Sequence, residues 1–370
     1  MNLSGIEVNN CNFISSTLDY SHELLYIYHF STGYIMIDFI KVKSLISKAD
    51  RILLSTHENP DGDGLGCCAA MYFHLREEGK DCRIIISSEL PSEYSFLNSK
   101  QIFDVHKLVQ HQDWIKNVDL AIIFDVGDIK RLKTIHTEIK SHAIPTLNID
   151  HHPLEEENLF TYNLVDTNAA AAGEILFNYL KLVRDTQLPE EICEGIYTAI
   201  MTDTGSFRHS NTNTKCHEIA IECFQSGVNH SYIYQQIYES NSKGRIKLLG
   251  NILSHLTFEC DDELAWFTID KSTLERCEAT SEDVGGLTDF VRTIRRVEVA
   301  LMIFQNGHNT CRINFRSKGK FIINRIANSL GGGGHPLAAG AVVEGSLDTV
   351  LPKVLSKTKQ SLQEQKVQSK

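Results

Sequence analysis

Long apolar runs are missing from this 370-residue chain. Its apolar stretch at 24–40 is interrupted by His29, Ser31 and Asp38 and cannot supply the roughly 20 consecutive apolar residues of a membrane span. No basic segment followed by an apolar core opens the chain, so no secretory signal is expected. Positive charge is not in excess either: 36 Lys and Arg stand against 47 Asp and Glu, a net charge of -11. Proteins that hold long nucleic acid by its phosphates carry a basic surface. A long duplex is therefore not an expected partner. A short phosphate ester stays open, because bound divalent cations can reverse the sign of a local site. CxxC pairs are absent. The ten cysteines are scattered, apart from the adjacent Cys67 and Cys68. That is the usage of reduced thiols in a cytoplasmic protein, and it offers no thiolate framework for zinc. There is no internal repeat and no low-complexity block.

What is present fits two domains, since one core rarely serves so long a chain. Residues 1–35 have no clear period and read as an N-terminal extension. Met36 opens a helical pattern through Ile37, Phe39, Ile40, Val42, Leu45 and Ile46, which raises the expectation that Met36 is the natural start. β-rich runs then appear at 51–56, 83–87, 120–124 and 146–149. Helical patterns lie at 65–78, 169–182, 190–202 and 215–225. Such alternation predicts an α/β domain over 36–238, with a mostly parallel sheet sandwiched by helices. Ligands in such sheets bind at the carboxyl ends of the strands. A polar stretch and a linker helix over 239–254 lead to a smaller α+β domain at 255–358, with strand-like runs at 264–269, 297–304, 310–316 and 338–343. Residues 359–370 read as a polar, frayed tail.

Four polar clusters follow apolar runs: His57-Glu-Asn-Pro-Asp61-Gly-Asp63, then Asp125, then Asp150-His151-His152, then Asp203. Taken singly, Asp61 and Asp63 serve as turn residues, Asp125 as a helix N-cap, and the His pair as surface groups. Taken together at one sheet edge, they gather four carboxylates and at least two imidazoles in one crevice. So many carboxylates repel one another unless divalent cations intervene. The donor set holds oxygen and nitrogen without sulfur, which suits Mn²⁺, and less well Mg²⁺. Two such ions balance four aspartates, and one aspartate must bridge if they are to act jointly on a phosphate. Downstream, Gly331-Gly332-Gly333-Gly334-His335 is costly in backbone entropy. It reads either as a flexible turn or as a backbone nest for an anion, with His335 as a further donor. Arg208, five residues after Asp203, either faces the same crevice or serves structure alone.

The series HENPDGD, FDVGD, IDHH and MTDTGSFR closely resembles the ordered motifs of the DHH phosphoesterases. The GGGH run, with Asn314-Phe315-Arg316-Ser317 upstream, resembles the DHHA1 domain that accompanies them. Two positions depart from the usual pattern: Cys67 stands where Ser is common, and Ala171-Ala172 where Ser/Thr pairs are common. The resemblance implies that His57, Asp61 and Asp125 hold one metal ion. It implies that Asp63, Asp125, His151 and Asp203 hold a second, with Asp125 bridging. Asp150 would orient the His pair, and His151, His152 and Asp125 would form the catalytic set. Arg316, Ser317, Gly332, Gly333, Gly334 and His335 would bind substrate, Arg316 through its planar fork to a phosphate. Standalone relatives of this length are implied to hydrolyse short RNA to mononucleotides and 3'-phosphoadenosine 5'-phosphate (pAp) to AMP, and to form homodimers. Phosphodiesterases of linear or cyclic dinucleotides share these motifs. A non-catalytic nucleotide sensor is the alternative of another class, disfavoured by the complete ligand set.

Overall fold

The computed structural model describes residues 38–153, 159–305, 307 and 309–368. The extension at 1–35 and the start at Met36 lie outside the described residues. The chain divides into two compact units between Ile237 and Tyr238.

The first unit is built on a six-stranded, wholly parallel sheet. Its strands are β1 (Arg51–Thr56), β2 (Asp81–Ile86), β3 (Phe103–Val105), β4 (Leu120–Phe124), β5 (Thr146–Asp150) and β6 (Tyr162–Val165), in the order β3-β2-β1-β4-β5-β6. Every residue of β4 and β5 is buried. β4 is a continuous apolar run, as a strand covered on both faces should be, whereas β5 alternates, and its buried Thr146, Asn148 and Asp150 side chains make hydrogen bonds. On one face, Trp114, Ile115, Ile135 and Ile139, from helices Leu108–Ile115 and Thr134–Ser141, pack on Leu53, Ile85, Ala121 and Ile123. The strand order reverses between β1 and β4. A doubly wound sheet opens a crevice there, beyond the carboxyl ends of its strands.

Glycine sets a second feature of this unit. Helix Gly62–Glu77 crosses helix Glu190–Asp203 with backbones in contact. A Cβ on Gly66 would lie 2.3 Å from the Gly195 carbonyl oxygen, and one on Gly195 would lie 2.4 Å from that of Gly66. Only hydrogen fits at that crossing. The crossing fixes how the first turn of one helix meets the last turn of the other.

The second unit carries a mixed sheet of β7 (Thr257–Glu259), β8 (Leu264–Ile269), β9 (Val299–Gln305), β10 (Thr310–Ser317), β11 (Gly333–His335) and β12 (Ala338–Glu344), in the order β11-β12-β10-β9-β8-β7. One face, bearing Leu301, Ile303, Ile313, Phe315 and Ala341, packs on helices Asn324–Ser329 and Leu347–Gln368. The other face is covered over β8 and β9, where Ala265, Phe267, Ala300 and Met302 meet Leu248, Ile252, Leu287 and Val291. Over β10 and β12 that face is open: Arg312 and Val342 are exposed, and Asn314 and Arg316 are part-exposed.

Two expectations are corrected here. The helix expected over 239–254 is helix Lys243–Ser254, but it belongs to the second unit and is not a free linker. Leu248 and Ile252 enter its core, Ser242 Oγ donates to Asp283 Oδ1 at 2.6 Å, and Arg245 Nη1 donates to the Asp283 carbonyl at 2.7 Å. The run from 359, read as a frayed tail, continues helix Leu347–Gln368. Leu362 is buried there, and Gln365 bonds both the N–H and the carbonyl of Ile322. Isolated apolar residues in a polar run gave no period to follow. Among the described residues no disulfide forms, and no helix is long and apolar enough to cross a membrane.

Candidate metal centre and phosphate-binding face

The crevice at the β1/β4 reversal collects the acidic and imidazole groups. Beyond β1, His57 is held by its Nδ1 at 2.8 Å from the Glu58 carbonyl. With Nδ1 donating there, Nε2 is the nitrogen that would bind a metal in place of its proton. Nε2 faces Asp125 Oδ2 at 3.3 Å and Asp61 Oδ2 at 3.8 Å. Asp61 caps helix Gly62–Glu77, accepting from the N–H groups of Asp63 and Gly64, so its position is fixed by an ordinary N-cap. Asp63 lies inside the first turn and is fully buried. It accepts from Ala172 N at 2.7 Å and Gly173 N at 2.9 Å, and the Cys67 thiol donates to it at 3.5 Å. Cys67 thus keeps a donor beside Asp63, and backbone N–H groups serve at the Ala171-Ala172 position.

Asp125 follows β4 with φ +58°. This left-handed conformation is uncommon outside glycine, but short polar side chains tolerate it. It replaces the N-cap alternative. Asp125 turns one oxygen to each side: Oδ2 to His57 at 3.3 Å, Oδ1 to His151 Nε2 at 3.6 Å. His151 Nε2 also lies 3.8 Å from Asp63 Oδ2 and 3.6 Å from Asp203 Oδ2. Asp203 arrives as the last residue of helix Glu190–Asp203, not from a strand end. The glycine crossing brings it opposite Asp63. Behind the pair, buried Asp150 accepts from the N–H groups of His151 and His152 and from His152 Nδ1, all through Oδ1 at 2.8–3.1 Å.

Two triads and a tetrad emerge, each with ligand atoms within 4.8 Å of one another: His57, Asp61 and Asp125; Asp63, His151 and Asp203; and Asp125, Asp150, His151 and His152. Burial opposes charge on all three imidazoles, yet the facing carboxylates outweigh it. Asp125 and Asp61 raise His57 to about 10. Asp125, Asp63 and Asp203 raise His151 to about 9, and Asp125 with Asp150 raises His152 to about 10. Burial first, then its acidic neighbours, pushes Asp63 well above the ordinary carboxylate range. Burial likewise raises Asp203 to about 6. Asp125 is held well below that range, because the facing imidazoles of His151, His152 and His57 outweigh its burial. The cluster concentrates more negative charge than its surroundings can solvate. Asp125 Oδ1 and His151 Nε2 are buried without a hydrogen-bond partner among the described residues. Orphaned oxygen and nitrogen donors converging without sulfur fit a hard or borderline divalent cation.

Arg208 is anchored near this crevice, its Nε donating to the Gly205 carbonyl at 2.8 Å.

In the second unit, strand register arranges the other candidate residues. Arg316 pairs with Ala338, which pairs with His335. Asn314 pairs with Gly340, which pairs with Gly333. Directly opposed residues share a sheet face, so Arg316, His335, Asn314 and Gly333 occupy the open one. Arg316 Nε donates to both oxygens of Asp289, at 3.0 and 3.1 Å, and Nη1 to the Phe315 carbonyl. Asp289 was invisible in the sequence, since nothing local marks a partner so far from Arg316. Part of the glycine run has an internal cause. A Cβ on Gly332 would lie 2.0 Å from the Gly340 carbonyl oxygen, and one on Gly334 would lie 2.6 Å from that of Ala338. Gly333 has no such constraint: its nearest neighbour is the Asn328 side chain at 3.6 Å. Ser317 is a correction. It points to the core side, buried, donating to the Phe321 carbonyl at 2.6 Å and accepting from Gly319 N. It shapes a turn and does not reach the open face.

Comparison with known proteins agrees with this geometry. The DHH family N-terminal domain matches residues 51–201, and the DHHA1 domain matches residues 270–364. The chain is 30% identical over 300 residues to the bifunctional oligoribonuclease and PAP phosphatase NrnA of Bacillus subtilis, covering 80% of this chain and 91% of that protein. It is 26% identical to the protein of the same name from Thermus thermophilus, covering 84% and 90%. The crystal structure of an exopolyphosphatase-related protein from Bacteroides fragilis has the same fold, with a TM-score of 0.81 at 23% identity over 90% of this chain and 97% of that one. With both domain models in order and a relative of this identity matched along nearly its whole length, the chain belongs to the DHH/DHHA1 family of metal-dependent phosphoesterases.

Proposed function

We propose that this protein binds two divalent cations, Mn²⁺ in preference to Mg²⁺, and hydrolyses short oligoribonucleotides to mononucleotides and pAp to AMP. The observation that carries this reading is Asp125, which offers one carboxylate oxygen to each of two adjacent ligand triads. His57, Asp61 and Asp125 hold one ion; Asp63, Asp125, His151 and Asp203 hold the other. Bound there, such ions acidify a water and offset charge on a phosphate.

The chain's own residues do the rest. Asp150 fixes the tight turn of the His pair and the orientation of His152, whose Nδ1 it accepts. His152, so oriented, is the imidazole proposed to donate to a phosphoryl oxygen or to the departing ribose oxygen. Gly66 and Gly195 set the spacing of Asp63 and Asp203. In the second unit, Arg316, positioned by Asp289, takes a substrate phosphate through its guanidinium. His335 lies on the same face as a further donor, and Gly333 offers close backbone approach.

The substrate class rests on the relatives named oligoribonuclease and PAP phosphatase and on the acidic surface, which disfavours long strands. The deciding experiment is a panel with Mn²⁺: pAp, RNA of two to five nucleotides, a cyclic dinucleotide and a linear one, compared by kcat/KM. This reading expects the short RNA and pAp to lead. A clear lead by the cyclic dinucleotide would replace it with the dinucleotide reading. Binding without turnover of any phosphoester would leave a sensor.

A further inference from the structure

The open face of the second unit carries a group that the phosphate chemistry does not use. Asn314 stands two residues from Arg316 on β10, hence on the same face and about 7 Å along the strand. Its side chain lies across Gly340 of β12, where a Cβ would come within 3.1 Å of Asn314 Oδ1 and 2.8 Å of the Ile313 carbonyl. Gly340 in turn pairs with Gly333 of the glycine run. Asn314, Gly340 and Gly333 therefore form one row, parallel to the row of Arg316, Ala338 and His335. The floor between the two rows is made of glycine and alanine, flat enough for a planar ring.

The Asn314 amide is part-exposed, and among the described residues it makes no hydrogen bond. Elsewhere on this sheet, part-exposed Trp266 donates to Glu259, and Arg316, on the same strand as Asn314, donates to Asp289. A structural asparagine normally spends its amide on a nearby backbone. Asn314 presents a carboxamide oxygen and an NH₂ side by side, the pair that complements the N6 amine and N7 of adenine.

We infer that Asn314 reads the base of the nucleotide whose phosphate Arg316 holds, and that it favours adenine over pyrimidines. This rests on the proposed phosphoesterase reading and deepens it: Arg316 supplies affinity for any nucleotide, and Asn314 supplies the preference. One strand step of two residues separates phosphate recognition from base recognition.

The test compares kcat/KM for pAp and its uridine counterpart in the full-length Mn²⁺-loaded enzyme, in Asn314→Leu and in Asn314→Asp. Leu keeps the volume and removes both polar groups. Asp keeps the shape and replaces the donor to N7 with an acceptor. Thermal melting establishes that each variant is folded, and the aspartate variant serves if the leucine variant is not. Wild type is expected to prefer pAp by about tenfold or more, the discrimination typical of a bidentate amide–adenine pair. Both variants should lose that preference, through KM for pAp and not through kcat, with the uridine substrate little changed. A wild type that turns over both substrates equally, or a folded variant that keeps the preference, overturns the assignment and leaves the phosphoesterase reading standing. Wild type inert toward both nucleotides overturns this assignment, and if an RNA dinucleotide is also left intact the phosphoesterase reading falls with it.

Discussion

The two units assemble their recognition chemistry in opposite ways. The first gathers side chains from distant parts of the chain: a strand end at His57, a helix start at Asp61 and Asp63, a strained residue at Asp125, a turn at His151 and a helix end at Asp203. His57, Asp61 and Asp63 are fixed by backbone groups, and His151 by Asp150. The second lays its groups on a flat, half-covered sheet, where register alone determines what stands beside what. A convergent crevice suits ions, which demand donors from several directions. A flat face suits a nucleotide, whose phosphate and base are spread along a line. The comparison teaches that loss in the first unit should be abrupt and shared among all substrates, whereas loss in the second should be graded and substrate-dependent.

The largest effect is expected at the point where both triads meet. Asp125→Ala should lower kcat for every substrate by about a thousandfold or more, since it removes several kcal/mol of metal-assisted stabilisation. Assays on pAp and on an RNA dinucleotide would check it; an effect confined to one substrate would break the contrast. Arg316→Ala should instead raise KM by roughly 10- to 100-fold, as loss of a charge-assisted contact of about 1.5–3 kcal/mol implies, while Mn²⁺ uptake by calorimetry is unchanged. Weaker metal binding in that variant would show the units' roles to be mixed.

A smaller effect tests the scaffold. Gly195→Ala adds a methyl group where the Gly66 carbonyl already touches, and overpacking of this kind costs about 1–3 kcal/mol. Its melting temperature should fall, and its metal affinity with it, because the crossing spaces Asp63 and Asp203. Gly333→Ala, with its nearest neighbour at 3.6 Å, should leave the melting temperature almost unchanged. A fall equal to that of Gly195→Ala would contradict the account of the glycine run.

The smallest effect lies away from both sites. Asp81 accepts from Arg51 Nε at 2.7 Å and from Trp114 Nε1. Its partial burial works against the charge, but these bonds outweigh it and hold its carboxyl below the ordinary range. A depressed folded pKa contributes stability above the unfolded value, lost as pH falls through the folded one. Asp81→Asn should therefore be less stable than wild type near neutrality, by about 0.5 kcal/mol given its exposure. The difference in denaturant midpoint should close in acid. A difference that widens in acid would reverse the sign.

Much of the candidate metal centre's convergence was legible because each of its first three clusters ends an apolar run. In a parallel sheet buried on both faces, strands have to be such runs, and their carboxyl ends share one edge. The fourth cluster was read by the same rule, but its apolar run is the helix that Asp203 ends, not a strand. What stayed hidden has physical causes. Strands β3, β6, β7 and β11 have three or four residues, too few to display a period, and β11 lies inside a glycine run that reads as a loop. The Gly66–Gly195 crossing and the Arg316–Asp289 pair depend on tertiary approach, which leaves no local mark. Ser317 shows the converse failure. Its neighbour Arg316 faces outward, but strand alternation turns Ser317 to the core, and the motif alone does not tell which of the two is presented.

The central claim is that Asp125 bridges two cations. The most direct measurement is metal content per folded chain after dialysis against low Mn²⁺, by elemental mass spectrometry, for wild type and Asp125→Ala. The account predicts two ions per wild-type chain and loss of both in the variant. Two ions retained by a folded Asp125→Ala chain, or a single ion in a fully active wild type, would contradict it.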